Sequence, residues 1–127
     1  QIIGEKILLL VGFEEGEPAQ NFIRLIGAHV FLSPVTTVAG LPAIMTPLSQ
    51  EIVAATGFPL KTVMMSQVIG YSTILFPYQV PPIVVGMQIG GVNMKNGVKM
   101  TIALSAASIL FLIPVNYAWW VLLGMFN

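Results

Sequence analysis

The sequence predicts an all-α membrane protein. Three observations carry that prediction: the composition, the placement of the few charges, and the prolines set inside apolar runs. Hydrophobic residues are 56% of the 127 and charged residues 8%, where a soluble domain carries roughly 25% charged residues; mean hydropathy is +0.88. No Asp, Glu, Lys or Arg occurs in residues 25–50, 62–94 or 100–127. Each window is long enough to matter, since a helix needs about 20 residues to cross a bilayer core. The expected units are a re-entrant helical hairpin over 22–50, a proline-broken transmembrane helix over 58–91 and a last transmembrane helix over 97–126, with 1–21 as an N-terminal segment.

Net charge is zero and the basic residues are scattered, a distribution that offers nucleic acid no patch. Cysteine is absent, which excludes disulfides, thiolate metal sites and cysteine nucleophiles. The apolar run 7–13 follows Glu5 and Lys6 and precedes acids rather than a small-residue cleavage site, so it does not have the form of a signal peptide. Residue 1 is Gln, and the expectation is a piece of a longer protein.

Residues 2–13 are apolar but about half a bilayer crossing in length. They end in the acidic turn Glu14-Glu15-Gly16-Glu17-Pro18, and they are either the tail of an upstream helix or a surface segment. Residues 22–48 carry Pro34, Pro42 and Pro47. Ser33 before Pro34 has the chemistry of a helix start, because a serine hydroxyl accepts an orphan amide and proline suits the first helical position. A boundary at Ser33 leaves two short arms meeting at a polar tip, the form of a re-entrant hairpin. The competing reading is one proline-kinked span.

Gly57 and Pro59 mark a stop and a restart. From Leu60 a helix is expected to run to Pro77. Pro77, Pro81 and Pro82 cannot continue it, since proline lacks the amide donor and its ring clashes with the turn before. A half-helix follows from Ile83, then a turn at Val92-Asn93-Met94-Lys95-Asn96-Gly97, rich in residues that accept unusual backbone angles. Residues 98–126 form a full crossing, kinked near Pro114, with Tyr117, Trp119 and Trp120 as an interfacial aromatic belt. Lys95 and Lys99 place the preceding turn in the cytoplasm by the positive-inside bias, so the C-terminus is expected outside a cell membrane that the chain crosses more than once.

The chain offers an enzyme little. His29 is the only histidine, no Asp occurs, and no carboxylate lies within an apolar window, so neither a triad nor an acid/base pair can be assembled and no catalytic residue is expected. His29 itself is either a packed histidine or a proton carrier. Neutral oxygen chemistry remains. Ser33, Thr36 and Thr37 place hydroxyls at the expected helix N-terminus, where free amides attract anions. The break around Gln79, Val80 and Pro81 frees backbone carbonyls of the kind that coordinate sodium in transporters, and non-helical backbone at membrane depth persists only against protein or a water-filled cavity. The methionines Met64, Met65, Met87, Met94 and Met100 are expected to be gap-filling or lipid-facing.

The run Leu75-Phe76-Pro77-Tyr78-Gln79-Val80-Pro81-Pro82-Ile83-Val84-Val85-Gly86, followed by Gly90-Gly91-Val92-Asn93-Met94-Lys95-Asn96-Gly97 and a terminal helix, resembles the C-terminal end of the divalent anion:sodium symporters. These citrate, dicarboxylate and sulfate carriers have Pro-x-x-x-Pro-Pro-Asn, an apolar half-helix, a glycine turn and a last crossing. The resemblance covers residues 28–120. It implies one of two inverted repeats of an elevator-type transporter, with this chain supplying one half of the substrate and sodium sites. Sodium would be held mostly by backbone at Leu32, Ser33, Pro34, Val35 and Gln79, and an anion by Ser33, Thr36, Thr37, Gln79, Val80 and Pro81. The implied partners are the bilayer, a small anion, and an N-terminal repeat or second copy, as a homodimer in the full-length form. The family's Ser-Asn-Thr triplet is Leu32-Ser33-Pro34 or Ser33-Pro34-Val35 here, its Thr before the proline pair is Val80 and its Asn after it is Ile83. Those changes remove donors that hold carboxylates, so the anion is expected to be a carboxylate or an inorganic ion. The alternative reading is a small membrane-embedded subunit or a non-transporting fragment.

Overall fold

The computed structural model describes residues 11–13 and 16–126, and the expected apolar segment 2–13 falls largely outside them. The described residues are helical with no strand: α1 (Pro18–Leu32), a 3₁₀ turn (Ser33–Val35), α2 (Gly40–Met45), α3 (Ser49–Thr56), α4 (Leu60–Ser72), a second 3₁₀ turn (Pro77–Gln79), α5 (Pro81–Ile89), and α6 (Met94–Ala107) joined through a π turn (Ser108–Leu112) to α7 (Ile113–Leu122).

Side-chain contacts fix how these elements run. Ser33 at the end of α1 meets Thr73 just after α4, while Phe22 near the start of α1 and Phe58 just before α4 both pack on Phe126. Helices α1 and α4 therefore run in the same sense. The chain between them runs the other way: Thr46 bonds Gln67 and Ser49 reaches Met64, so rising residue number on α2 and α3 meets falling residue number on α4. The reversal occupies residues 33–39, and a left-handed Gly57 (φ +72°) closes α3 before α4 begins. That conformation is cheap only for glycine.

The last three segments form one helix over Met94–Leu122, 29 residues long and mostly exposed. At about 1.5 Å per residue it exceeds the roughly 30 Å of a hydrocarbon core. It is the one described helix long and apolar enough to cross a membrane by itself; Ser49–Thr56 and Leu60–Gly70 pass that test only together and are bent by 113° at their junction. The irregularity expected near Pro114 is the π turn just before it, where the wider turn accommodates a residue with no amide to donate and a ring that clashes one turn back. Asn93 caps α6 by accepting from the Asn96 amide at 2.9 Å, so the expected turn over 92–97 ends earlier and the helix begins at Met94.

The core is an aliphatic stripe between the helices that ends in an aromatic knot away from residue 33. Phe22, Leu25, Ile26, Leu41, Met45, Ile52, Phe58, Val63 and Trp120 are buried. Phe22 lies 5.2 Å from Tyr117, 5.5 Å from Trp120 and 5.8 Å from Phe126. This corrects the aromatic belt: Trp120 packs inward on α1, and of the two tryptophans only Trp119, 57% exposed, faces outward. Burying Trp120 against the rings of Phe22 and Phe126 is favoured by area and, with Phe22, by edge-to-face geometry.

Candidate functional site

Helix α4 ends at Ser72, and residues 73–76 are non-helical before the second 3₁₀ turn. The break thus begins four residues before Pro77, earlier than the prolines require. Hydroxyl groups from two other elements take up the freed carbonyls: Ser33 Oγ donates to the Thr73 carbonyl at 3.3 Å, Ser105 Oγ to Ile74 at 2.6 Å and Thr101 Oγ to Leu75 at 2.8 Å. Thr101 and Ser105 share one face of α6 with Gly97, and all three are buried. Gly97 stands against Pro77 and Met87, where a Cβ would lie 3.3 Å from the proline ring and overlap the methionine methyl. The face Gly97-Thr101-Ser105 is therefore the bed on which the break lies. Small residues at i, i+4 and i+8 in an apolar helix signal such a close interface, and that signal went unused in reading the sequence.

Gln79 sits at the centre, 1% exposed. Its amide Nε2 donates to the Ser33 carbonyl at 2.7 Å and to the Ser33 hydroxyl, and its Oε1 accepts from the Phe76 amide at 2.6 Å. Its own carbonyl accepts from the Val38 amide at 3.1 Å. The Tyr78 hydroxyl donates to the Pro34 carbonyl. One buried side chain thus joins the reversal at 33–39 to the break at 73–80. A buried amide matched on both its donor and acceptor sides fixes register as well as energy.

Ser33 is not the N-cap the sequence suggested. Its backbone is helical (φ −52°, ψ −43°) and it closes α1, because its hydroxyl is drawn to Thr73 and Gln79 rather than to an amide of its own strand of chain. The boundary lies where it was expected, but the next helix starts at Gly40 and not at Pro34. Thr36 and Thr37 lie across that start: the Thr36 hydroxyl occupies the space a Cβ on Gly40 would need, and the Thr37 carbonyl accepts from the Gly40 amide at 2.9 Å.

Val80 and Pro81 begin α5. Pro81 and Pro82 have no amide hydrogen, and Ile83 donates to Val80 at 2.9 Å, so two of the four amides that a helix start offers an anion are missing. Leu32 and Pro34 are half-buried beside the junction, whereas Val35 is exposed. The structure therefore brings together Ser33, Pro34, Gln79 and Val80, and leaves Thr36, Thr37 and Val35 at the rim.

An open apolar groove of about 880 Å³ runs along the outer side of α1 between Ile23, Val30 and Phe31 and the last helix at Ile109 and Ile113. It reaches the junction only at Pro34, Val35 and Leu75. A smaller polar group lies between α2, α3 and α4, where Gln67 accepts from Thr46 at 3.2 Å and donates to Ser49 at 3.4 Å. No cluster of three or more His, Cys, Asp or Glu stands among the described residues. Comparison with known protein families, with characterised proteins and with solved structures gives no match.

Removing either hydroxyl on α6 leaves a buried carbonyl without a donor. Thr101→Val and Ser105→Ala are each expected to lower unfolding free energy by about 1 kcal/mol, and the double variant by more than either alone, short of or beyond the sum because the two hydroxyls are one turn apart and hold consecutive carbonyls. Chemical unfolding in nanodiscs reads this; unchanged stability in the double variant would mean that the break does not depend on the last helix.

Proposed function

We propose that this chain supplies one half of the binding sites of a membrane transporter that takes up an anion, carboxylate or inorganic, together with sodium. The observation that carries the reading is the meeting of two backbone interruptions on one buried side chain, Gln79, in a chain this apolar. Irregular backbone of this kind, held between helices, is where transporters bind ions and substrates. In this reading α1 with α2, over residues 22–50, is the re-entrant hairpin, α4 and α5 are the broken transmembrane helix, and Met94–Leu122 is the last crossing of one repeat of an elevator-type protein in the cell membrane. The other half-site comes from a second repeat or a second copy, and the whole works as a homodimer with its C-terminus outside.

Sodium entering the junction exchanges with the Gln79 amide. The Ser33 carbonyl accepts from both Gln79 Nε2 and the Thr36 amide, so its lone pairs are occupied until the side chain withdraws. The Pro34 carbonyl accepts from the Tyr78 hydroxyl and the Gln79 carbonyl from the Val38 amide, and each keeps a second lone pair for the cation beside Leu32 and Val35. The anion meets Ser33, Thr36 and Thr37 at the rim, with Val80 and Pro81 across from them.

A second reading, a membrane-embedded structural subunit, is favoured by one observation: the polar groups of the junction satisfy one another. Thermal unfolding in nanodiscs separates the two. With potassium replaced by sodium at constant ionic strength, the midpoint is expected to rise with sodium concentration, as linkage to a bound cation requires, and Ser33→Ala is expected to flatten the rise. A midpoint indifferent to sodium in the intact protein would remove cation coupling and leave the structural subunit.

A further inference from the structure

Where α1 presses on α4, one side chain has no match. His29 is 0% exposed, and neither ring nitrogen has a hydrogen-bond partner. The ring fits because residue 70 is glycine: a Cβ there would overlap the His29 Cβ, lie 2.9 Å from its Cγ and 3.0 Å from a methyl of Leu41. A buried donor left unmade is costly and calls for a physical explanation, and an aromatic ring or leucine would fill the slot without that cost. His29 is also one turn before Ser33 on the same face of α1, just as Gly70 is one turn before Thr73 on α4. The Ser33–Thr73 bond therefore depends directly on how closely the two helices approach at the histidine.

We propose that His29 is a proton-binding site that latches α1 to α4: neutral, it fills the Gly70 slot and holds the junction shut; protonated, it parts the helices and lets Ser33 leave the Thr73 carbonyl. Imidazolium carries two N–H donors and a charge, and the one backbone acceptor beside it, the Leu25 carbonyl one turn back on α1, can serve a single nitrogen and brings no counter-charge. Charge in an unpartnered buried site is resolved by giving it water, which here means separating α1 from α4. The charged and titratable groups on the surrounding elements are Glu17 just before α1, Arg24 on α1, Glu51 on α3, Lys61 and Tyr71 on α4 and Tyr117 on α7, and α2 carries none. None of the described groups bonds to His29, so the charge of the ring depends on whether water reaches it, and a hydrated imidazole takes up its proton in the physiological range. The inference rests on the α1–α4 packing and not on the transport reading.

The chain has no cysteine, so one introduced thiol reports without background. Thr73→Cys places it at a residue 2% exposed, and Val35→Cys at one 81% exposed. Maleimide labelling rates are compared at about pH 7.5 and about pH 5.5, on either side of the ordinary histidine range, in nanodiscs without substrate and in potassium only. Dividing the rate at 73 by the rate at 35 cancels the pH dependence of the thiol. The ratio is expected to rise about tenfold on acidification, as one unit of free-energy linkage on a single proton allows, and to stay flat with His29→Phe or His29→Gln. A flat ratio with His29 present overturns the latch whether or not the variants fold, and so does an equal rise in either variant. A protein that ignores sodium yet shows the rise would sink the transport reading and keep the latch.

Discussion

Gln79→Leu is expected to lower the unfolding free energy by about 3 kcal/mol, the cost of orphaning buried groups in a site that water does not reach. The leucine fills similar space, so the loss is of partners rather than volume. The Phe76 amide loses its acceptor outright, the Ser33 hydroxyl loses its donor, and the Ser33 carbonyl falls back on the Thr36 amide alone. Ser33→Ala removes less. Gln79 keeps its 2.7 Å bond to the Ser33 carbonyl, while its bond to the Ser33 hydroxyl and that hydroxyl's 3.3 Å bond to Thr73 disappear, so about 1 kcal/mol is expected, the Gln79 amide keeping one partner. The ordering is the test: chemical unfolding of both variants in nanodiscs should place Gln79→Leu well below Ser33→Ala. Equal losses, or a leucine variant within about 1 kcal/mol of the parent, would mean that the two interruptions are held together by something other than this amide.

The break itself was legible because proline is a local instruction. Pro77 cannot continue the helix before it, lacking the amide donor, and the half-helix that follows starts at Pro81, at the position proline suits. Its upstream edge was not legible. Phe76 is held out of the helix by the proline after it, but Ile74 and Leu75 have nothing in their own chemistry that stops a helix, and they leave it where Thr101 and Ser105, about thirty residues on, offer their carbonyls a partner. Ser33 shows the same limit from the other side. Its type marked a boundary, but whether the hydroxyl caps a following helix or bonds across to α4 depends on a neighbour that arrives forty residues later. Trp119 and Trp120 are adjacent and chemically identical, and only the position of Phe22 and Phe126 decides which is buried. Of the site residues named from sequence, Ser33 and Gln79 proved central because both could bond at depth. Thr36 and Thr37 were placed by a helix start that lies at Gly40 instead.

Two helix glycines should respond in opposite ways to the same added methyl. Alanine in place of glycine in a helix is ordinarily favourable by about 1 kcal/mol, so any loss measures overlap. At Gly97 the overlapped atoms are the terminal methyl and the sulfur of Met87, the far end of a side chain that has three rotatable bonds and can swing aside. The proline ring at 3.3 Å gives by a few tenths of an ångström, and Gly97→Ala is expected to stay within about 1 kcal/mol of the parent. At Gly70 the overlapped atom is the Cβ of His29, which is fixed to the backbone of α1 and can move only with the whole helix. Overpacking of that kind costs about 3 kcal/mol, leaving Gly70→Ala about 2 kcal/mol less stable after the propensity gain. Because α1 must shift to make room, Ser33 should draw away from Thr73, and Thr73→Cys should label faster in the alanine background even at neutral pH. Gly70→Ala with unchanged stability and unchanged labelling would show that α1 does not rest on α4 at His29, and the latch would fail with it.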